Sequence, residues 1–167
     1  SDFCWIGLVD PSKDELAALQ EAYGLNPLAV AHALDPDRPP ALNVYNHELF
    51  VVAKTAELDG DHIRYGQTAI FVGTNHIISI RHGTAAAHGD LREQLECAPA
   101  LLGKGADYVL HAILHHIVDK YLPIFEVIED QVLDMERQSL DAFLGRKEVK
   151  SIFLMRCQLT RFQRTLG

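Results

Sequence analysis

The hydrophobic period of this chain changes once, near Gly83, from two to 3.6, and that single switch limits the folds open to it. Ahead of it, "ALNVY", "ELFVVAKTAEL", "HIRYGQTAIFV" and "HIISIRHG" are rich in the β-branched and aromatic residues that suit a pleated surface. Asp59-Gly60 and Gly73-Thr74-Asn75 fall where hairpin turns belong, so the spacing predicts an antiparallel meander over residues 41 to 82. Beyond it, from Ala106 to about Leu144, apolar residues recur at three- and four-residue steps, as in Leu110, Ile113, Leu114, Ile117, Tyr121, Ile124, Phe125, Ile128, Val132 and Met135. At ~1.5 Å per residue, one helix of that length is longer than a domain of this size needs. Pro123 is expected to kink it. Gly145 breaks the pattern, and "RKEVKSIFLMRCQLTRFQRTL" opens a further amphipathic helix that the end of the chain cuts off.

The first forty residues punctuate themselves. "CWIGLVD" reads as a short buried strand, apolar on both faces, stopped by Pro11. Ser12 with Glu15 makes a capping box that opens a helix, and Gly24 closes it. Asn26-Pro27 is a second N-cap with proline at the first helical position, leading into the short helix "LAVAHAL". "DPDRPP" cannot continue that helix, because its prolines remove donors and restrict the residues before them. After the meander, "TAAAHGDLREQLEC" also has a helical pattern.

Composition narrows the functions. Of the 167 residues, 48% are hydrophobic and 23% charged, enough apolar material for a folded domain. Lys and Arg number 15 against 23 Asp and Glu, a net charge of -8, which argues against nucleic acid as a partner. Cys4, Cys97 and Cys157 are odd in number and far apart, which points to a reducing cytosol. No apolar run approaches the ~18 residues of a membrane span. The first residue is not methionine, and the chain reads as a piece of a longer protein.

Chemistry-bearing residues are few. His111, His115 and Asp119 share one helix face at four-residue spacing, where two imidazoles and a carboxylate can hold a divalent ion. The alternative is a helix face whose histidines are merely solvated. His116 points elsewhere. Glu126, Glu129, Asp130, Asp134 and Glu136 form a carboxylate stripe of the kind that usually is just a wet face. No HExxH motif, glycine-rich phosphate loop, GxSxG elbow or nucleophile triad is present, so nothing beyond the scattered histidines supports an enzyme, and no organic cofactor is expected.

The order of segments is more specific than any single residue. "WIGLVDP", "NPLAVAHAL", "DRPPALNVYNHELFVV", "YGQTAIFVGTNHIISIRHG" and "DYVLHAILHHIVDKYLPIFEVIEDQVLDME" resemble, in sequence and order, the cytoplasmic domain of the CorA family of divalent-cation channels. The likeness covers nearly the whole chain. The magnesium/cobalt branch is echoed most closely, and the zinc-transporting ZntB branch shares the layout. The resemblance implies a three-layer α/β/α domain with a mixed, largely antiparallel sheet, followed by long antiparallel helices and the start of a stalk helix. Residues 1–105 would be the α/β core, 106–145 a long kinked helix with an acidic tip, and 146–167 the start of a truncated stalk helix.

The resemblance also implies a function: a metal-sensing and gating domain on the cytoplasmic side of the cell membrane. The full-length protein would be a homopentamer, reaching the lipid bilayer through helices outside this segment. The segment itself is expected to be soluble and mostly monomeric. In magnesium-channel members, ions bound between neighbouring cytoplasmic domains hold the pore shut, so a divalent cation is the regulatory ligand. The family usually has an acidic pair where this chain has Ala31 and His32, and often an aspartate where it has His115; Asp119 matches. The expected metal ligands are therefore His32, His115 and Asp119. Imidazoles favour Zn²⁺ or Co²⁺ over the Mg²⁺ that carboxylates prefer. A ZntB-like zinc transporter is the alternative in the same class. A stand-alone metal-binding enzyme using His111, His115 and Asp119 is the alternative in another.

Overall fold

Strands that are apolar on both faces need a layer on each side. The computed structural model, which describes residues 4–60, 62–83, 89–141 and 145–166, meets that need. Its elements run β1 (Cys4–Val9), α1 (Lys13–Tyr23), α2 (Pro27–Ala33), β2 (Ala41–Tyr45), β3 (Glu48–Asp59), β4 (His62–Val72), β5 (His76–Gly83), α3 (Gly89–Glu96), α4 (Pro99–Leu102), α5 (Ala106–Asp119), α6 (Leu122–Asp141) and α7 (Arg146–Leu166). One five-stranded sheet has the order β1-β5-β4-β3-β2. β2 to β5 form the expected antiparallel meander, and β1 joins β5 in parallel, so the sheet is mixed.

Alternation along the strands feeds two separate cores. Phe50, Val52, Ala69, Phe71, Ile78 and Ile80 pack with Leu16 of α1 and with Ala29, Val30 and Ala33 of α2. Their strand neighbours Val51, Ile70, Val72 and Ile77 pack on the other side with Leu91 and Leu95 of α3 and with Val109, Ile113 and Ile117 of α5. The result is the three-layer α/β/α arrangement. At about 1.5–3 kcal/mol for each fully buried aliphatic or aromatic side chain, both faces are needed to hold the sheet.

Local signals place the helices on the first face. The Ser12 hydroxyl accepts from the Glu15 amide at 3.2 Å, and the Glu15 carboxylate accepts from the Ser12 amide at 2.8 Å. Gly24 ends α1 with φ 69°, a left-handed conformation that glycine adopts without penalty. The Asn26 side chain accepts from the Leu28 and Ala29 amides at the start of α2.

The β3–β4 hairpin is longer than its neighbours. β2 pairs with β3 only as far as Val52, and β5 pairs with β4 only back to Gly66, so the far end of the hairpin stands alone. There a third cluster forms, in which Ala56 is buried against Ile124 and Ile128 of α6 and Phe162 of α7. Arg161 lies over the Tyr65 ring, 4.3 Å from its centroid.

Two expectations need correction. The strand read as buried, β1, is an edge strand with Cys4, Gly7 and Val9 exposed, because among the described strands only β5 pairs with it. The single kinked helix from Ala106 is two helices, α5 and α6, with a turn at Lys120 and Tyr121. A proline ring collides with the carbonyl four residues earlier, which for Pro123 belongs to Asp119, the last residue of α5. Pro123 instead sits in the first turn of α6, where its missing N–H costs nothing. Tyr121 holds the junction, donating its hydroxyl to the Lys54 carbonyl at 2.5 Å. The helix expected over "TAAAHGDLREQLEC" is described from Gly89, and Thr84 to His88 lie outside the described residues. The end of the pattern at Leu144 lies outside them too, since α6 is described to Asp141.

Candidate metal-binding surface

α5 turns Ala106, Val109, Ile113 and Ile117 inward, at spacings of three and four. By the same period, the opposite stripe carries His111, His115 and Asp119, all exposed. The His111 and His115 rings stand edge to face with centroids 6.0 Å apart. His115 Nδ1 lies 3.0 Å from Asp119 Oδ2, with the two side chains 62% and 55% exposed. A carboxylate on one ring nitrogen fixes the proton there and turns the lone pair of the other outward, the arrangement that orients metal-binding histidines. Chemically, this face offers one oriented imidazole nitrogen, a second imidazole beside it, and a free carboxylate oxygen.

His32 lies apart from it. α2 covers the face of the sheet opposite to α5, so no single chain brings His32 to His115 and Asp119. The His32 ring is half-buried, 6.4 Å from the Phe50 ring, and its Nδ1 is buried without a hydrogen-bond partner among the described residues. Only Nε2 is left to reach a ligand. His116 is half-buried, off the exposed stripe, and burial first, then the nearby Lys120 charge, hold its imidazole below its ordinary pKa. Glu126, Glu129, Asp130, Asp134 and Glu136 are all exposed on α6, a solvated face. Among the described residues, no group of three or more His, Cys, Asp or Glu is set to hold a metal ion.

Two histidine arrangements escape sequence reading. His82 of β5 is buried, with Nε2 2.6 Å from the Ala33 carbonyl and Nδ1 3.2 Å from Asp10, tying α2 to the end of β1. His76 Nε2 lies 3.4 Å from Glu48 Oε1, in a cavity of about 350 Å³ under the α1–α2 turn. No local motif marks either pair. Each depends on strand register between residues 28 and more positions apart.

The fold has counterparts among solved structures. It matches the soluble domain of CorA from Methanocaldococcus jannaschii with a TM-score of 0.79 at 24% identity, over 97% of this chain and 65% of that one. It matches the ZntB cytoplasmic domain from Vibrio parahaemolyticus RIMD 2210633 with a TM-score of 0.59 at 12% identity, over 81% and 55%. The architecture is therefore that of these two domains. The cobalt/magnesium transport protein CorA of M. jannaschii is 23% identical over 164 residues, which is 97% of this chain and 51% of that protein. The CorA-like Mg²⁺ transporter family model matches residues 1–167, and the chain belongs to that family. It spans between about a fifth and about half the length of the curated relatives it matches, and no described helix is long and apolar enough to cross a membrane.

Proposed function

We propose that this chain is the cytoplasmic metal-sensing and gating domain of a CorA-like channel for Mg²⁺ or Co²⁺. Family membership over the whole chain is the observation that carries the reading. The rest of the protein would supply the membrane spans and set five copies around a pore. α7 leaves Val149, Phe153 and Leu154 more than half exposed, an apolar stripe suited to packing against neighbouring stalks.

In this reading, a divalent cation bound between adjacent copies is the regulatory ligand. His115 and Asp119 of one copy carry the ion, and His32 of the next contributes Nε2. The path from that site to the stalk is short. Asp119 ends α5, Tyr121 turns the chain toward α6, and the Tyr121 ring meets Phe162 of α7 with centroids 5.8 Å apart. A shift of α5 on binding metal would thus reach α7 through one aromatic contact.

A second reading within the family, zinc transport of the ZntB kind, is favoured by the imidazoles at positions 32 and 115. The family description, that of a transporter, speaks against the metalloenzyme alternative. Two experiments test the proposal. Flux of Mg²⁺, Co²⁺ or Zn²⁺ through the full-length protein in liposomes identifies the ion, and absence of flux for all three refutes the channel reading. Calorimetry on the complete cytoplasmic domain with its stalk should give weaker Zn²⁺ binding after His32→Ala with His115→Ala. Unchanged binding would remove these residues from the sensor.

A further inference from the structure

One row of side chains crosses all five strands at the rim of the sheet below the α1–α2 turn. Cys4 of β1 pairs with His76 of β5, the Gly73 amide donates to the His76 carbonyl at 2.9 Å, and Tyr45 of β2 pairs with Glu48 of β3. The Leu49–Val72 pair places Gly73 opposite Glu48. Side chains in such a row point to one face. At Gly73 the row has no side chain, and the His76 ring occupies the space. A Cβ there would stand 2.7 Å from His76 Nε2. The gap lets His76 reach over β4 to Glu48 on β3. The Tyr23 ring packs against His76 with centroids 4.9 Å apart, and the His76 and Glu48 side chains are largely sheltered, 15% and 14% exposed.

The distance between them is informative. His76 Nε2 and Glu48 Oε1 are 3.4 Å apart, close enough for both to reach one ion. Two ligand atoms at about 2.0–2.2 Å from a tetrahedral ion stand roughly 3.4 Å from each other. We propose that His76 and Glu48 form a divalent-cation site within a single chain, completed by water in the adjoining cavity and selective for Zn²⁺ or Co²⁺ over Mg²⁺. The selectivity follows from the imidazole nitrogen, a borderline ligand that Mg²⁺ accepts poorly. Two protein ligands make an open, exchangeable site, not a structural one. It requires no second copy of the chain and stands apart from the sensor proposed on α5.

The test is titration of the 167-residue chain with Co²⁺, read from the visible absorption of the bound ion, and with Zn²⁺ by calorimetry. One ion should bind at this site. His76→Ala and Glu48→Gln should each weaken binding by at least about tenfold. Gly73→Ala removes no ligand but displaces the His76 ring, and should have the same effect. His115→Ala should leave this site unchanged, which separates it from the proposed sensor. Circular dichroism identifies any variant that fails to fold, and Glu48→Gln, which preserves size, keeps the test decisive. Binding that survives Glu48→Gln with His76→Ala, that Mg²⁺ displaces at equal concentration, or that is absent from the unsubstituted chain would overturn the proposal.

Discussion

Removing the ring of Phe162 should detach α7 from the rest of the protein without unfolding the sheet. Met155 and Phe162 are the buried residues of this 21-residue helix among those described. At about 1.5–3 kcal/mol each, their burial gives α7 a docking energy of roughly 3–6 kcal/mol. Truncation of a buried phenylalanine to alanine costs about 3–5 kcal/mol. Phe162 is 2% exposed, and it meets Tyr121 and Phe125 in edge-to-face pairs with centroids 5.8 and 5.0 Å apart. Each pair adds about 0.5–1.5 kcal/mol to the loss. Phe162→Ala therefore removes most of what holds α7. Peptide-resolved hydrogen exchange is the assay. With ~1.4 kcal/mol per factor of ten, a loss of about 3 kcal/mol speeds exchange in α7 by roughly a hundredfold. Amides of β4 and β5 should stay protected. Equal loss of protection in α7 and in those strands would show that α7 is part of the cooperative core. No change in either would show that Phe162 is not the anchor.

Three further outcomes follow from contacts described above. His82→Leu strips the Ala33 carbonyl of its partner in a buried position, and urea unfolding should show a loss of about 1–3 kcal/mol. Ser12→Ala removes the N-cap of α1 and should cost about 1 kcal/mol, seen as a lower Tm in calorimetry. His116 has a folded-state pKa below its unfolded value near 6.5. The unfolded chain thus takes up a proton first, and stability should fall as pH drops below that value. It should level off once the folded protein titrates, and the step should vanish in His116→Gln when denaturation is followed against pH.

The three layers were legible because period two, apolar on both faces, requires a cover on each side, and the segments able to cover it are plain on either flank. The position of β1 was not legible. Its apolar composition resembles that of a central strand, and its pairing with β5 is a long-range choice that "CWIGLVD" does not encode locally. Pro123 marked the right place, but proline chemistry alone allows a kink or a break. Anchorage of Tyr121 on Lys54 accompanies the break found here. On α5, the approach of His115 to Asp119 followed from helical spacing. The separation of His32 from both could not, because it depends on which face of the sheet each helix covers. The His76–Glu48 pair was least legible of all, since it needs a register between strands and a missing side chain at Gly73.

The parallel pairing of β1 with β5 sets an order of events during synthesis. The β3–β4 hairpin can zip as soon as both its strands have left the ribosome. β1 emerges first yet has no partner until β5 is complete, and the bond from Trp5 Nε1 to Ser79 Oγ closes across 74 positions. Contacts of that span are the slow ones in folding, because the intervening chain must be ordered before they form. Trp5 is the sole tryptophan of the chain. Its emission therefore follows the closing of the sheet edge, on the strand that is made first and paired last.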